Sequence, residues 1–212
     1  MHQILVYGDS LSWGMVPGGR ARLGFEQRWP GVVERQMRAS GWPVRVIENC
    51  LNGRRTMLDD PDRPGRNGLL GLAQCIEINS PLALAILLLG TNDFYDMHDS
   101  GTADSAKGLA ALIDAIRSAP LEPGMQSPPI LAVAPPPIVQ AKGDMAAKFT
   151  RAPEKMRGLA EAYRAVACDR ACHFLDSASV ISASSVDGIH LDADQHLTLG
   201  NAVARKASEL LA

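Results

Sequence analysis

Four short stretches hold the residue types that nucleophilic acyl transfer requires. Ser10 lies in Y-G-D-S-L-S-W-G, directly after the apolar run Ile4-Leu5-Val6. A serine hydroxyl attacks a carbonyl only when a base takes its proton. Of the five histidines (His2, His98, His173, His190, His196), His190 stands apart in D-G-I-H. Asp187 precedes it by three residues, and Gly188 between them permits a sharp bend. A carboxylate so placed can accept the imidazole Nδ1–H and leave Nε2 as the base. The tetrahedral intermediate also needs donors for its oxyanion. Asn92 in G-T-N-D offers a side-chain amide, Gly53 in L-N-G-R-R an unobstructed backbone N–H, and Ser10 its own N–H.

Taken one at a time, each piece has a structural reading. A serine after aspartate can cap or turn the chain, or touch a phosphate at a helix N-terminus. His190 can be an ordinary loop histidine, Asn92 a turn residue, and N-G a turn dipeptide. The set is more telling than its members. Nucleophile, base, orienter and oxyanion donors make the full complement of a serine hydrolase.

These residues need elements to hold them. Ile4 to Tyr7, Val44 to Ile47, Leu82 to Leu89, Ile130 to Ala134 and His173 to Leu175 are short apolar runs expected as strands. The run Leu82 to Leu89, bounded by Pro81 and Gly90, suits a strand covered on both faces. Helical spacing runs over Trp29 to Ser40, Leu69 to Ile78, Ala103 to Ser118, Glu154 to Ala167 and Asp192 to Leu211. The last opens D-x-x-Q, a cap-like start. Alternating strands and helices predict a parallel sheet with helices on both faces. In such sheets sites form beyond the strand C-termini. Gly8 to Gly14, Asn52 to Thr56, Gly90 to Phe94 and Asp187 to His190 therefore fall together. Leu121 to Pro129 reads as a surface connection, and 137–153 as a flap over a site or an ordinary long loop.

A chain of 212 residues fits one domain over 1–212 with a real core. Its 21 basic and 23 acidic residues leave a net charge of −2, with no nucleic-acid footprint and no polybasic membrane patch. No run has the length of a membrane helix. The scattered Cys50, Cys75, Cys168 and Cys172 read as reduced thiols. The first strand begins almost at Met1, leaving no room for a leader, so the cytoplasm is the expected compartment. The D-D-P-D-R-P stretch lacks a metal-ligand spacing and reads as a turn-rich excursion. Arg54 and Arg55 are expected to cap, or to pair with Asp59 or Asp60, and an anionic substrate is their other reading.

These blocks, in this order, resemble the SGNH (GDSL) hydrolase family over essentially the whole chain. The resemblance is closest to its compact bacterial arylesterase/acyltransferase branch. Tyr7 to Gly14, Leu58-Asp59-Asp60-Pro61 with Arg66-Asn67-Gly68, and Leu89 to Asp93 are similar to that branch's extended motifs. The resemblance implies a three-layer α/β/α flavodoxin-like sandwich on a mainly five-stranded parallel sheet. It implies Ser10 as nucleophile, His190 as base and Asp187 as its partner. Ser10, Gly53 and Asn92 are its implied oxyanion hole. Asp9, Trp13, Met15, Phe94 and Ile189, with Tyr95, flank the blocks as candidates for a substrate pocket. For Trp13 and Phe94 a core position is the alternative. Met15 departs from the branch, where an aromatic residue is frequent, and this bears on the shape of the acyl pocket. No metal or organic cofactor is implied. The implied partner is a small-molecule ester with a short, acetyl-type acyl group, and self-association into a homo-oligomer is implied as well. Acyl transfer to other alcohols, sugar O-acetyl hydrolysis and a non-catalytic flavodoxin-like binding module are the competing functions.

Overall fold

Successive side chains of a strand face opposite sides of its sheet. In the central runs of this chain, residues 4–7, Leu84–Leu88 and Ile130–Ala134, both sets are apolar, so the sheet must be covered twice. The computed structural model describes residues 1–212. Its strands are β1 (His2–Gly8), β2 (Val44–Cys50), β3 (Leu84–Leu88), β4 (Ile130–Ala134) and β5 (His173–Asp176). They form one parallel sheet in the order β2-β1-β3-β4-β5. The helices are α1 (Ser10–Trp13), α2 (Trp29–Ala39), α3 (Leu72–Asn79), α4 (Thr102–Arg117), α5 (Ala152–Lys155), α6 (Leu159–Asp169) and α7 (Ala193–Leu211).

Ile4, Val6, Leu84, Ile86, Leu131 and Val133 pack with Trp29 and Val33 of α2 and Leu199 and Val203 of α7. Their neighbours Leu5, Tyr7, Ala85, Leu87, Ile130 and Ala132 pack with α3, α4 and α6. The result is the expected three-layer α/β/α sandwich. The strand order reverses at β1, so the chain leaves β1 and β3 toward opposite neighbours. A crevice opens there beyond the strand ends, which is where ligands bind in open α/β sheets. No helix is long and apolar enough to cross a membrane. The four cysteines are unpaired.

Several boundaries differ from the expected ones, each for a local reason. The second strand runs on to Cys50 because Tyr7 and Gly8 of β1 pair with Asn49 and Cys50. The third is shorter, Leu84–Leu88. The helix expected from Leu69 starts at Leu72, after Gly71. The helix expected over 154–167 is two helices, broken at Gly158, whose φ of +82° is left-handed and open to glycine. Asp192 stands at the N-cap of α7, but its carboxylate accepts from Ser184 Oγ (3.0 Å), and no helix N–H uses it. The segment 137–153 carries a 3-10 turn at Gly143–Lys148. Bonds at both ends tie it down. Val139 N–H donates to Gly188 O and Lys142 N–H to Asp187 O, and Lys148 O accepts from Asp96 N–H. Ile138, Phe149 and Ala152 anchor it in the core.

Candidate active site

Ser10 is the first residue of α1, directly after β1. Asp9 caps that helix by accepting from Leu11 N–H (2.9 Å). At this position the Ser10 N–H lies in the first turn, where no helix carbonyl can take it. Its hydroxyl is 3.1 Å from His190 Nε2. His190 comes from the loop before α7, and its Nδ1 is 2.7 Å from Asp187 Oδ2. Asp187 Oδ1 accepts the N–H groups of Ile189 (3.0 Å) and His190 (2.9 Å), and Oδ2 that of Gly18 (3.0 Å). Partial burial works against the Asp187 charge. The bonds from the His190 ring and from these three N–H groups outweigh it and hold the carboxyl well below the usual range. An ionised acceptor at Nδ1 keeps the proton there and presents the Nε2 lone pair to Ser10.

Gly53 follows β2. Its N–H donates to no group of the chain, and it lines the pocket over Ser10. Its φ is +81°, and a Cβ there would come within 2.8 Å of Arg63 Nη1. The Arg55 guanidinium donates to Gly53 O (3.3 Å) and to the buried carboxylate of Asp60 (2.9 Å). The expected pairing of Arg55 with Asp60 thus holds the loop. Arg54 stacks on Tyr7, 3.9 Å from the ring centroid, and donates to Gly8 O (3.0 Å) and Asn49 Oδ1 (2.8 Å). It ties the ends of β1 and β2 together.

Asn92 sits in the 3-10 turn Thr91–Phe94 after β3. Its side-chain amide donates to Asp9 Oδ2 and to Arg54 O, both at 3.1 Å. An oxyanion would draw one of these hydrogens toward itself. Asp93, the next residue, is fully buried. It accepts from Thr56 N–H (2.9 Å), Thr56 Oγ1 (2.7 Å) and Ser105 Oγ (2.6 Å), which locks the Asn92 turn to the Gly53 loop.

The pocket at Ser10 has a volume of about 120 Å³. Ser10, Gly53, Asn92 and His190 line it together with Met15, Tyr95, Phe149 and Ile189. Not every candidate reaches it. Asp9 is fully buried behind Asn92, and Phe94 is fully buried in the core, as its alternative reading had it. Trp13 lies outside the lining, beneath the Arg22 guanidinium at 4.9 Å. Burial pushes the Asp9 carboxyl up to about 7, against the Leu11 N–H and the charges of His190 and Arg54. Sequence reading took Asn52 only as half of a turn dipeptide, and missed Arg63, Met145, Lys148 and Phe149, which also line the pocket. They lie in long excursions with no periodicity and no motif, so only spatial convergence reveals them. No group of three or more His, Cys, Asp or Glu side chains is placed to hold a metal ion.

Residues 6–198 match the model of the GDSL-like lipase/acylhydrolase family. The aryl esterase of M. smegmatis is similar over 100% of both chains, with 34% identity and a TM-score of 0.94. Est24, a carbohydrate acetylesterase from Sinorhizobium meliloti, is similar over 99% of this chain and 100% of its own, at 31% identity and a TM-score of 0.93. No curated protein matches the sequence. With its fold, its blocks and this match over most of its length, the chain belongs to the GDSL-like lipase/acylhydrolase family of carboxylic ester hydrolases.

Proposed function

We propose that the protein hydrolyses short-chain acyl esters, aryl esters among them, through Ser10, His190 and Asp187. The observation that carries this reading is the continuous hydrogen-bond chain from Ser10 Oγ through His190 to Asp187, ending at a small pocket. His190 Nε2 takes the proton as Ser10 Oγ bonds to the ester carbonyl carbon. The N–H groups of Ser10 and Gly53 and the Asn92 amide take the oxyanion. The C–O bond then breaks, and His190 gives its proton to the departing alcohol. Water, or a second alcohol, attacks the acyl-Ser10 with His190 again as base, and Ser10 is regenerated. Acyl transfer to alcohols is the same second half-reaction with a different acceptor. A homo-oligomer, which rests on the resemblance alone, and a cytoplasmic location, which rests on the sequence reading alone, complete this proposal.

A pocket of about 120 Å³ with Met15, Tyr95, Phe149 and Ile189 on its walls suits an acyl group near acetyl in size. A p-nitrophenyl ester series from acetyl to long acyl, with labelling by a fluorophosphonate and mapping of the adduct, tests the whole reading. Turnover highest at the short end and an adduct on Ser10 are expected. A maximum at long chains would overturn the small acyl pocket, and an adduct elsewhere would overturn the nucleophile.

Asn92→Ala is expected to lower kcat by about a hundredfold with little change in KM, because an oxyanion donor acts in the transition state. A modest loss of stability accompanies it, since buried Asp9 loses a donor. Unchanged kcat removes Asn92 from the oxyanion hole. A sugar O-acetyl substrate is the second reading. Asn52 Oδ1, buried without a partner in the cleft, favours it as an acceptor for a sugar hydroxyl. Faster turnover of acetylated sugars than of aryl acetates would select it.

A further inference from the structure

The cleft has two lobes. The inner one, already described, holds Ser10, Gly53 and Asn92. The outer one is larger, about 620 Å³, and is lined by His190 and Asp187 but by none of those three. Met15, Asn52, Met145 and His190 line both, as do Arg63 and Lys148 at the junction, so the lobes are continuous. In acyl transfer to serine, the base hands its proton to the departing oxygen, so the alcohol leaves on the side of the base. The outer lobe, on the His190 side and away from the oxyanion donors, is therefore the place for the alcohol portion of the ester.

That lobe is strongly cationic. Arg20, Arg63, Lys142 and Lys148 line it, brought from three separate segments of the chain. None of the four is within ion-pair distance of a carboxylate. Arg63 donates to Asn52 O (3.0 Å) and Lys142 to Ser185 O (2.8 Å), and these carbonyls leave the charges uncompensated. On the other side stands Asp144, whose carboxylate has no ion-pair partner, and Asp187, which is committed to His190 and three backbone N–H groups. Other cations do have a carboxylate partner, as in Arg28–Glu48, Arg38–Glu34 and Arg55–Asp60; those that do not, such as Arg45 and Arg205, do not line this cleft. The chain as a whole carries −2. Four unmatched cations in one concavity of a slightly acidic protein are a local arrangement, and concave walls focus the field they make.

We propose that the preferred substrates of this site are esters whose leaving alcohol carries an anionic group, a carboxylate or a phosphate, held in the outer lobe by Arg20, Arg63, Lys142 and Lys148. The proposal rests on the ester-hydrolase reading of Ser10, His190 and Asp187. It adds the charge of the alcohol to the small size of the acyl group.

The test compares four acetates of similar shape. They are 4-acetoxybenzoate, 4-acetoxyphenyl phosphate, the neutral methyl 4-acetoxybenzoate and the cationic 4-acetoxy-N,N,N-trimethylanilinium. The kcat/KM of each is measured for the wild type and for the combined variant R20Q/K142Q/K148Q. Arg63 stays in place because it also braces Asn52 beside Gly53. Taking ratios between the two proteins cancels the intrinsic reactivity of each ester. Removing three partly screened charges is expected to lower kcat/KM for the anionic esters by about tenfold relative to the neutral one, and to raise it for the cationic one. The larger loss of the two anionic esters identifies carboxylate or phosphate as the matched group. In the wild type alone, adding salt to about 0.5 M should shrink the advantage of the anionic esters, a readout that does not depend on any variant. Equal ratios for all four esters, or a wild-type preference indifferent to salt, overturn the proposal. Failure to hydrolyse any of the four overturns the ester-hydrolase reading itself, and the charge proposal with it.

Discussion

Ser10→Ala is expected to lower the turnover of p-nitrophenyl acetate by about ten-thousandfold or more while leaving the fold intact. The reasoning is geometric. The Ser10 side chain makes one hydrogen bond, to His190 Nε2 at 3.1 Å, and supports no other part of the chain. Alanine keeps the Cβ and the backbone N–H, so the cap by Asp9 on Leu11 N–H and the start of α1 are untouched. What disappears is the atom that forms the acyl-enzyme. The donors at Ser10, Gly53 and Asn92 still polarise a bound carbonyl, so a residue of catalysis above buffer should remain. The measurement is kcat for both proteins, with thermal melts to check the fold. Turnover within about tenfold of wild type would show that another group carries the acyl chain.

Asp187→Asn comes next in expected size, with kcat lower by about a thousandfold to ten-thousandfold. The asparagine is nearly the same shape, but its acceptor capacity is halved. Asp187 serves the His190 ring and three backbone N–H groups. With one amide oxygen and one NH2, the side chain cannot serve all four. If the NH2 faces Nδ1, the ring must accept there and carry its proton on Nε2, where it cannot act as base toward Ser10. Stability responds as well, with a definite sign. The folded Asp187 carboxyl lies below its usual value. Its stabilisation is therefore complete above the ordinary carboxylate pKa of about 4, and is lost as the pH falls further toward the folded value. The wild type should thus lose stability on acidification in a way the asparagine variant does not. Denaturant midpoints for both proteins between about pH 7 and pH 3 measure it. Parallel curves would mean that Asp187 is not held ionised by its neighbours. A kcat within about tenfold of wild type would remove it from the reacting set.

The parts of the fold that were legible in the sequence are those that local patterns control. A run such as Leu84–Leu88 is apolar at every position, so it can only be a strand with both faces covered. The alternation of such runs with amphipathic stretches then leaves few arrangements other than a doubly covered parallel sheet. Helix ends were less legible. Whether Gly158 breaks a helix or rides within it depends on the packing of the segment beside it, and periodicity runs through it unchanged.

The same division holds for the site. Residue type, a glycine-permitted bend and position after a strand were enough to single out Ser10, Asp187, His190, Gly53 and Asn92, because each is confined to a strand end or to the loop before α7. The structure brings all five to one crevice. Neighbouring residues were not separable in this way. Phe94 and Tyr95 are adjacent aromatics, yet a 3-10 turn sends Phe94 into the core and leaves Tyr95 on the pocket wall. Asp9 lies beside the nucleophile in sequence, but its carboxylate is directed behind Asn92.

The sequence by itself determined the sheet, its two covering layers and the five residues with chemistry to offer, since these follow from short-range periodicity and from what each side chain can do. Only the tertiary structure decided the walls of the cleft and its charge. Arg20, Arg63, Lys142 and Lys148 are up to 128 residues apart (148 − 20) and share no motif, and they meet because two long excursions and the turn after α1 close over the same strand ends. Such convergence depends on how those excursions are anchored, by Arg55 on Asp60 and by the backbone bonds from 137–153 to Asp187 and Gly188, and no local pattern encodes it.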